Sequence, residues 1–198
     1  MDTSAAYPVK LTIEYPDRDL NRVTSFFRMF TAIPIWIVAG LLLANMGKGL
    51  SFLFLPTLLM ITFRQKYPRW WFDWNFNLSQ FLLRVGAYTA LLTDVYPSTD
   101  ESQGVHLTLP YPEVARELNP WLPWVKWLLV LPHYFVLAFF NLAAVLLVLA
   151  AWVAILFTGR FPAVLFVPLV GVARWNFRVL AYAFLLTTDV YPPFRLAE

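Results

Sequence analysis

The sequence contains no cysteine and only two histidines, His106 and His133. The absence of cysteine excludes disulfide bonds, thiolate metal sites and a cysteine nucleophile, and two histidines are too few for a histidine-rich metal site. The sequence also lacks a glycine-rich phosphate loop, an H-E-x-x-H motif and a G-x-S-x-G motif. We therefore predict that the protein is not an enzyme and has no catalytic residues, metal or cofactor.

Charged residues are scarce as well, at 14% of the chain, whereas 60% of the residues are hydrophobic and 18% are aromatic. An average soluble domain has about 25% charged and about 45–50% apolar residues. This composition predicts an integral membrane protein that is mainly α-helical. The first apolar run begins near Phe26 and no cleavage site follows it, so we expect the membrane segments to persist in the mature protein.

The second half of the chain repeats the plan of the first half. Leu91–Pro97 reads LLTDVYP and returns as LLTTDVYP at Leu185–Pro192, and Arg84 returns as Arg178. Because motif identity and spacing agree over most of each half, the sequence predicts two tandem repeats.

Each repeat is predicted to hold a short β-strand, a hydrophobic helical hairpin and an amphipathic interfacial helix. The strands alternate apolar and polar residues, whereas the hairpins are nearly continuous apolar runs. The first repeat is 1–98, with strand Val9–Tyr15, hairpin 26–63 and amphipathic helix 70–93; the second is 99–198, with strand Val105–Tyr111, hairpin 124–157 and amphipathic helix 163–188. The two strands are expected to pair with each other or with another subunit.

A polar stripe runs along the first amphipathic helix. Asp73, Asn77, Gln80 and Arg84 fall at i, i+4, i+7 and i+11, so they share one face of a helix that is otherwise apolar. Such a helix lies in a membrane interface, or packs in a bundle with one hydrated seam.

The positions of the cations predict the orientation in the membrane. If each apolar block is a hairpin, Lys48 lies at a tip and the other 14 of the 15 Lys and Arg residues lie on the side of the termini. The positive-inside tendency then predicts a multi-pass protein of the cell (inner) membrane with both termini in the cytoplasm. The run Met29–Ala44 is shorter than the roughly 20 residues of a full span, so we expect two short hairpins that cross the bilayer, four membrane helices in all, with re-entrant hairpins as the alternative.

Seven cations border or interrupt the apolar segments. They are candidates for binding lipid phosphates or other anions, because a guanidinium group pairs with phosphate. The alternative is that they anchor interfacial helices by reaching toward the headgroups. These residues are Arg64, Lys66, Arg69, Arg84, Arg160, Arg174 and Arg178.

The repeated T-D-V-Y-P sequence supplies a second set of candidates, namely Asp94, Tyr96, Asp189 and Tyr191. A carboxylate at the C-terminal end of a helix is unfavourable unless it has a partner. We predict a structural network in which each aspartate pairs with an arginine of the other repeat. The alternative is that the Thr and Asp side chains cap the following turn.

Three sequence patterns together resemble a known family. They are L-T-T-D-V-Y-P-P-F at Leu186–Phe194, R-W-x-x-R at Arg174–Arg178 and F-R-x-x-x-x-I-P at Phe27–Pro34. The chain resembles two tandem copies of a prokaryotic integral-membrane family known only as a domain of unknown function. The first copy departs from the pattern, with Gln80 in place of Arg174 and Ser98 in place of the second proline. The resemblance implies membrane residence and a prokaryotic source, and no activity.

We expect a non-enzymatic protein that acts as a structural or accessory subunit of a membrane assembly. Its expected partners are membrane lipids and either further copies of itself in a homo-oligomer or other membrane protein subunits. One alternative is a channel or transporter for anions or small solutes, lined by the polar stripes. The other is a protein that binds anionic lipids. Nucleic acid is not an expected partner, because the cations border lipid-facing aromatic residues.

Overall fold

The structure is a computed structural model that describes residues 7–17, 19–45 and 50–197, so the predicted turn at Lys48 lies outside the described residues. The described part is mainly helical and includes a small two-stranded sheet. In chain order the elements are β1 (Lys10–Ile13), α1 (Arg22–Phe26), α2 (Arg28–Asn45), α3 (Leu50–Arg64), α4 (Arg69–Thr89), β2 (Val105–Thr108), α5 (Val114–Glu117), α6 (Pro123–Leu129), α7 (Leu131–Thr158) and α8 (Ala163–Leu180), which continues as a π-helical turn (Ala181–Leu185).

The strands β1 and β2 pair with each other in antiparallel register, with Leu11 opposite Leu107. This is one of the two pairings expected from the sequence. Because side chains alternate along a strand, the leucines face the core while Lys10 and His106 face outward. The sheet therefore has one apolar face and one polar face.

Each strand packs against the amphipathic helix of the other half of the chain. Strand β1 contacts α8 and strand β2 contacts α4. The segment around β1 runs along the whole of α8, because the Tyr7 hydroxyl donates to the Val190 carbonyl beyond its end and the Tyr15 hydroxyl donates to the Phe161 carbonyl near its start. The two halves are thus interleaved.

The first apolar block, predicted as a hairpin over 26–63, contains the two helices α2 and α3, and the segment between them lies outside the described residues. The start of α2 lies beside the end of α4, because Arg28 pairs with Asp94, whereas the end of α3 is joined to the start of α4 by residues 65–68. Helix α4 has 21 residues and spans about 30 Å at the usual rise. The helix α2 therefore runs antiparallel to α4. Ile35 and Ala39 of α2 pack against α4, which buries one stripe of each helix along its length.

The second apolar block differs from the hairpin predicted over 124–157. It forms the short helix α6 and then α7, one continuous helix of 28 residues. No glycine or proline occurs between Pro132 and Gly159, so neither of the two strongest helix-breaking residues interrupts α7. Gly159 ends α7 with φ of 77°, a left-handed conformation that glycine adopts without strain.

Two helical segments are long and apolar enough to cross a membrane, Leu131–Thr158 and Ala163–Leu185. Most side chains of α7 are exposed, and the outward side of α2 is apolar too. The molecule therefore has three layers: the sheet with its polar outer face, then α4 and α8, then α2, α3 and α7 with their apolar outer faces.

Candidate functional site

Asp94 lies just after α4 and joins three separate segments of the chain. It forms an ion pair with Arg28, the first residue of α2, and accepts a hydrogen bond from the backbone N–H of Asn21 at 3.0 Å. Arg28 also donates to the carbonyl of Thr93 at 3.3 Å. The Arg28 side chain is only 2% exposed, so this charge depends on the carboxylate beside it.

Asp189 makes the corresponding contacts after α8. Lys126 Nζ lies 2.7 Å from Asp189 Oδ1 and donates to the Thr188 carbonyl at 2.7 Å. The backbone N–H of Asn119 donates to Asp189 Oδ2 at 2.6 Å. Burial lowers the pKa of Lys126, while its hydrogen bond to Asp189 and the charge of that carboxylate oppose this effect.

The two networks place the same aromatic groups around the cation. Arg28 lies over the ring of Tyr88 at 4.1 Å, and Lys126 lies over the ring of Tyr182 at 4.8 Å, which are cation–π distances. The tyrosine of each T-D-V-Y-P sequence packs edge to face on the ring that contacts the cation. The pairs are Tyr88–Tyr96 and Tyr182–Tyr191, with centroids 5.5 Å and 5.7 Å apart. Each network thus encloses its ion pair in aromatic side chains.

The pairing differs from the predicted one. Each aspartate pairs with a cation of its own half of the chain, and not with an arginine of the other half. Sequence reasoning did not select Arg28 and Lys126 as site residues. Their shared position at the head of each apolar block was the signal, because a cation entering an apolar block requires an acceptor.

A buried leucine precedes each aspartate by three residues and adopts the left-handed conformation. The φ angle is 63° at Leu91 and 56° at Leu186. This conformation costs a residue other than glycine about 1–2 kcal/mol. Helix α4 ends at Thr89, before the predicted end at 93, because this reversal begins there and brings the aspartate back to the cation.

The three candidate arginines of α4 and α8 hold neighbouring segments in place. Each guanidinium donates to backbone carbonyls, and Arg84 and Arg178 are buried. The acceptors are the carbonyls of Ser98 for Arg84 at 2.8 Å, of Leu11 for Arg174 at 2.9 Å and of Ala197 for Arg178 at 2.7 Å. These contacts hold β1, the loop at Ser98 and the C-terminal segment (residues 192–197) against the helices.

The other four candidate cations are exposed. Arg64, Lys66 and Arg69 lie together where α3 turns into α4, whereas Arg160 lies at the turn between α7 and α8 and pairs with Asp19 at 2.7 Å. The structure thus brings three of them together and separates the fourth.

The C-terminal segment is packed on α7 and α8. His133 stacks on Phe194 with centroids 3.8 Å apart, and its Nδ1 accepts a hydrogen bond from Trp175 Nε1 at 3.0 Å. Gly171 leaves room for Leu196, since a Cβ there would lie 2.8 Å from Leu196 Cβ. A side chain at position 171 would displace this segment.

An apolar groove lies between α2 and α7, with α4 and α8 as its floor. Its volume is about 790 Å³, and its walls are mostly aliphatic and aromatic. Arg28 and Thr89 line one end and Ser79 lies farther along α4, so the groove extends about 15 Å at the usual helical rise. Sequence reasoning did not predict this groove, because it arises between helices that are far apart in the chain.

Residues 122–195 match a family described as a domain of unknown function (DUF4389). The DUF4389 match spans just over a third of the chain and includes α6, α7, α8 and the C-terminal segment. It agrees with the expected likeness to a domain of unknown function, and it contains the Lys126–Asp189 pair. No curated protein and no solved structure is similar to the chain. Among the described residues, no three His, Asp or Glu side chains lie together so as to hold a metal ion.

Proposed function

We propose that the protein is a non-enzymatic structural or accessory subunit of a membrane assembly. The observation that carries the proposal is the division of roles among its side chains. The four buried cations of the described residues, Arg28, Arg84, Lys126 and Arg178, all bond to acceptors inside the fold. The outer surface of α2 and α7 is apolar over a large area, which is typical of surfaces that face lipid or another protein.

We also propose that the chain is a tandem duplication with an approximate two-fold axis through the sheet. Leu11 and Leu107 occupy equivalent positions in the two halves and lie opposite each other. The hydroxyls of Tyr15 and Tyr111 each donate to the carbonyl of the residue before the proline that precedes α8 or α4. Together with the two matching ion-pair networks, these contacts support an isologous arrangement of the halves.

The distribution of polar residues supports a position in which α4 and α8 lie along the membrane surface. The segments before α1 and α6 run over α8 and α4, and they expose charged side chains such as Lys10, Glu14 and Glu117. If these helices stood upright, this polar layer would lie at hydrocarbon depth, where exposed irregular backbone is not tolerated. We therefore propose that the apolar outer faces of α2, α3 and α7 are embedded in one leaflet of the bilayer, with the termini in the cytoplasm.

Engineered cysteines test this position, because the chain has none of its own. The two sites are Arg64→Cys, which lies before the start of α4, and Arg160→Cys, which lies before the start of α8. They are at opposite ends of this helix pair, because the start of α4 contacts the end of α8 through the Tyr67–Leu185 hydrogen bond. If the helices lie along the surface, an impermeant maleimide added to intact cells labels neither site, and it labels both in inverted vesicles. Upright helices expose one of the two sites outside the cell. Labelling of either one from outside would therefore contradict the proposal.

The role as a subunit is tested by purification in a mild detergent. We expect a particle larger than one chain, because α7 exposes Leu142, Leu146 and Leu149 along its length. Changing Leu142 and Leu146 to alanine should weaken the assembly more than Val164→Ala, an exposed apolar residue at the start of α8. A single chain with no co-purifying protein would remove the proposal.

Binding of anionic lipid is a second candidate function. The exposed cations Arg64, Lys66 and Arg69 adjoin Trp70 and Phe63, each of which is 71% exposed. Cations beside aromatic residues are typical of the headgroup region. The double variant Arg64→Gln, Lys66→Gln should retain less phosphatidylglycerol than the control Arg116→Gln, whose native side chain is also exposed. Equal retention would argue against this function.

Transport is less well supported. The arginines of the polar stripes, Arg84, Arg174 and Arg178, donate to carbonyls of segments that cover them. Equal anion flux into liposomes from wild type and Arg178→Ala, or no flux, would agree with this assessment.

A further inference from the structure

The groove between α2 and α7 opens on the apolar face of the molecule. Met29 and Trp36 of α2 and Val145 and Leu149 of α7 line it, and all four are also exposed on the outer surface. In the position proposed above, this face is in contact with the hydrocarbon of the bilayer. Lipid chains are therefore the molecules that reach the opening of the groove.

The size of the groove is that of a small-molecule site. Its volume of about 790 Å³ lies within the range of roughly 300–1,000 Å³ that is usual for such sites.

We propose that this groove binds one membrane lipid, whose acyl chain lies along α4 past Gly86. The chain contacts the aliphatic and aromatic walls of the groove. The proposal rests on the membrane location proposed above. The site differs from the exposed cations at the α3–α4 turn, because it recognises the acyl chain and not a charged headgroup.

Two glycines provide a matched test. A Cβ at Gly86 and a Cβ at Gly40 each meet nothing within 4 Å, and both glycines lie inside helices. Gly86 lines the groove, whereas Gly40 is absent from its lining. Gly86→Phe should fill the groove, and Gly40→Phe should leave it open. Both substitutions replace a residue that weakens a helix, so neither is expected to prevent folding.

The measurement is native mass spectrometry of detergent-purified protein supplied with phosphatidylcholine or phosphatidylglycerol. Wild type and Gly40→Phe should each retain one lipid, with similar retention of the two headgroups. Gly86→Phe should retain it about tenfold less, as for the loss of roughly 1.4 kcal/mol of binding free energy. If Gly86→Phe does not fold, Gly86→Leu serves as a smaller obstruction with the same expected direction.

Three results on lipid retention, and a fourth on oligomeric state, would overturn the proposal. The first three are equal retention by all three proteins, no retained lipid in wild type, and a strict requirement for phosphatidylglycerol, which would place the lipid at the exposed cations. A dimer that is lost only in Gly86→Phe would identify a second copy as the occupant and would also overturn it. Failure of lipid retention in a protein that still fractionates with membranes concerns the groove alone and leaves the membrane location intact.

Discussion

Arg28 and Lys126 are buried cations, so their stability depends on what surrounds each charge. Taking a charge out of water costs several kcal/mol unless a counter-ion and hydrogen bonds compensate for it. Asp94 and Asp189 supply the counter-ions, and the preceding threonine carbonyls accept further hydrogen bonds. Each pair also joins the start of an apolar block to the end of an amphipathic helix.

We therefore predict that Asp94→Asn and Asp189→Asn each lower the free energy of unfolding by about 3–5 kcal/mol, because each leaves a buried cation unpaired. Asp19→Asn is the control: it breaks the exposed Arg160–Asp19 pair, and a much smaller loss is expected because water screens this pair. Thermal unfolding in detergent measures the effects. Similar losses for the buried and the exposed pairs would contradict this account of the networks.

Tyr67 is a buried titratable group at the turn between α3 and α4. Its hydroxyl donates to the Leu185 carbonyl at 3.1 Å and accepts from Asn75 Nδ2 at 3.3 Å. Burial raises the pKa of Tyr67 from 10.0 to about 12. Because the pKa is higher in the folded state, its contribution to stability is fully present below pH 10.0 and is lost as the pH rises toward about 12.

We predict that wild type loses more stability than Tyr67→Phe between pH 10 and 12. One unit of pKa corresponds to about 1.4 kcal/mol, so the difference should be about 2–3 kcal/mol. Thermal midpoints of both proteins across this pH range give the comparison. Parallel curves would show that another group is responsible for the alkaline loss.

At the scale of the elements, the C-terminal segment packs against α8 and is held there by contacts at two positions. It contacts α8 at Gly171 through Leu196, and the carbonyl of Ala197 accepts from Arg178 at 2.7 Å. We predict that Gly171→Ala displaces this segment, since the new Cβ would lie 2.8 Å from Leu196 Cβ. Trypsin should then cleave after Arg195 several times faster than in wild type, as mass spectrometry of the products would show.

Gly86→Ala is the control for Gly171→Ala. It adds the same methyl group to a helix, but into open space, and it should stabilise the protein by about 0.4–1 kcal/mol. Cleavage after Arg195 should be unchanged in that variant. Equal cleavage of Gly171→Ala and wild type would mean that the segment is not held at Gly171.

The strands and amphipathic helices were predictable because their patterns are local. The predicted helices 70–93 and 163–188 correspond to Arg69–Thr89 and to Ala163–Leu180 with its π-helical turn. The apolar blocks were not predictable in the same way. A helix that is apolar on every side has no single apolar face to identify the element it packs against. Its direction relative to the next helix therefore cannot be derived from the sequence pattern.

At the scale of the whole molecule, the sheet joins the two halves. Thr12 and His106 lie directly opposite each other on its exposed face. Directly opposed residues have Cβ atoms about 4.5–5.5 Å apart, close enough for a disulfide after a small adjustment. We predict that oxidised Thr12→Cys, His106→Cys protein forms a cross-link within one chain.

The control is the pair Thr12→Cys, Thr108→Cys, which is displaced by two residues along the strand. Its diagonal separation is about 7–8 Å, so it should cross-link more slowly. Denaturing electrophoresis without reductant distinguishes the products. Cross-linked dimers in place of an intramolecular product would show that the strands pair between chains.

Composition and local patterns by themselves determined the apolar character of this protein, its two helices long enough to cross a membrane, its mainly helical content and the positions of its strands and amphipathic helices. Those properties depend on local periodicity and on the number of apolar residues. The tertiary structure decided the direction of the apolar helices, the partners of Asp94 and Asp189 and the groove between α2 and α7. These features depend on contacts between residues far apart in the chain, where a buried charge is stable beside a counter-ion that only the complete fold brings near.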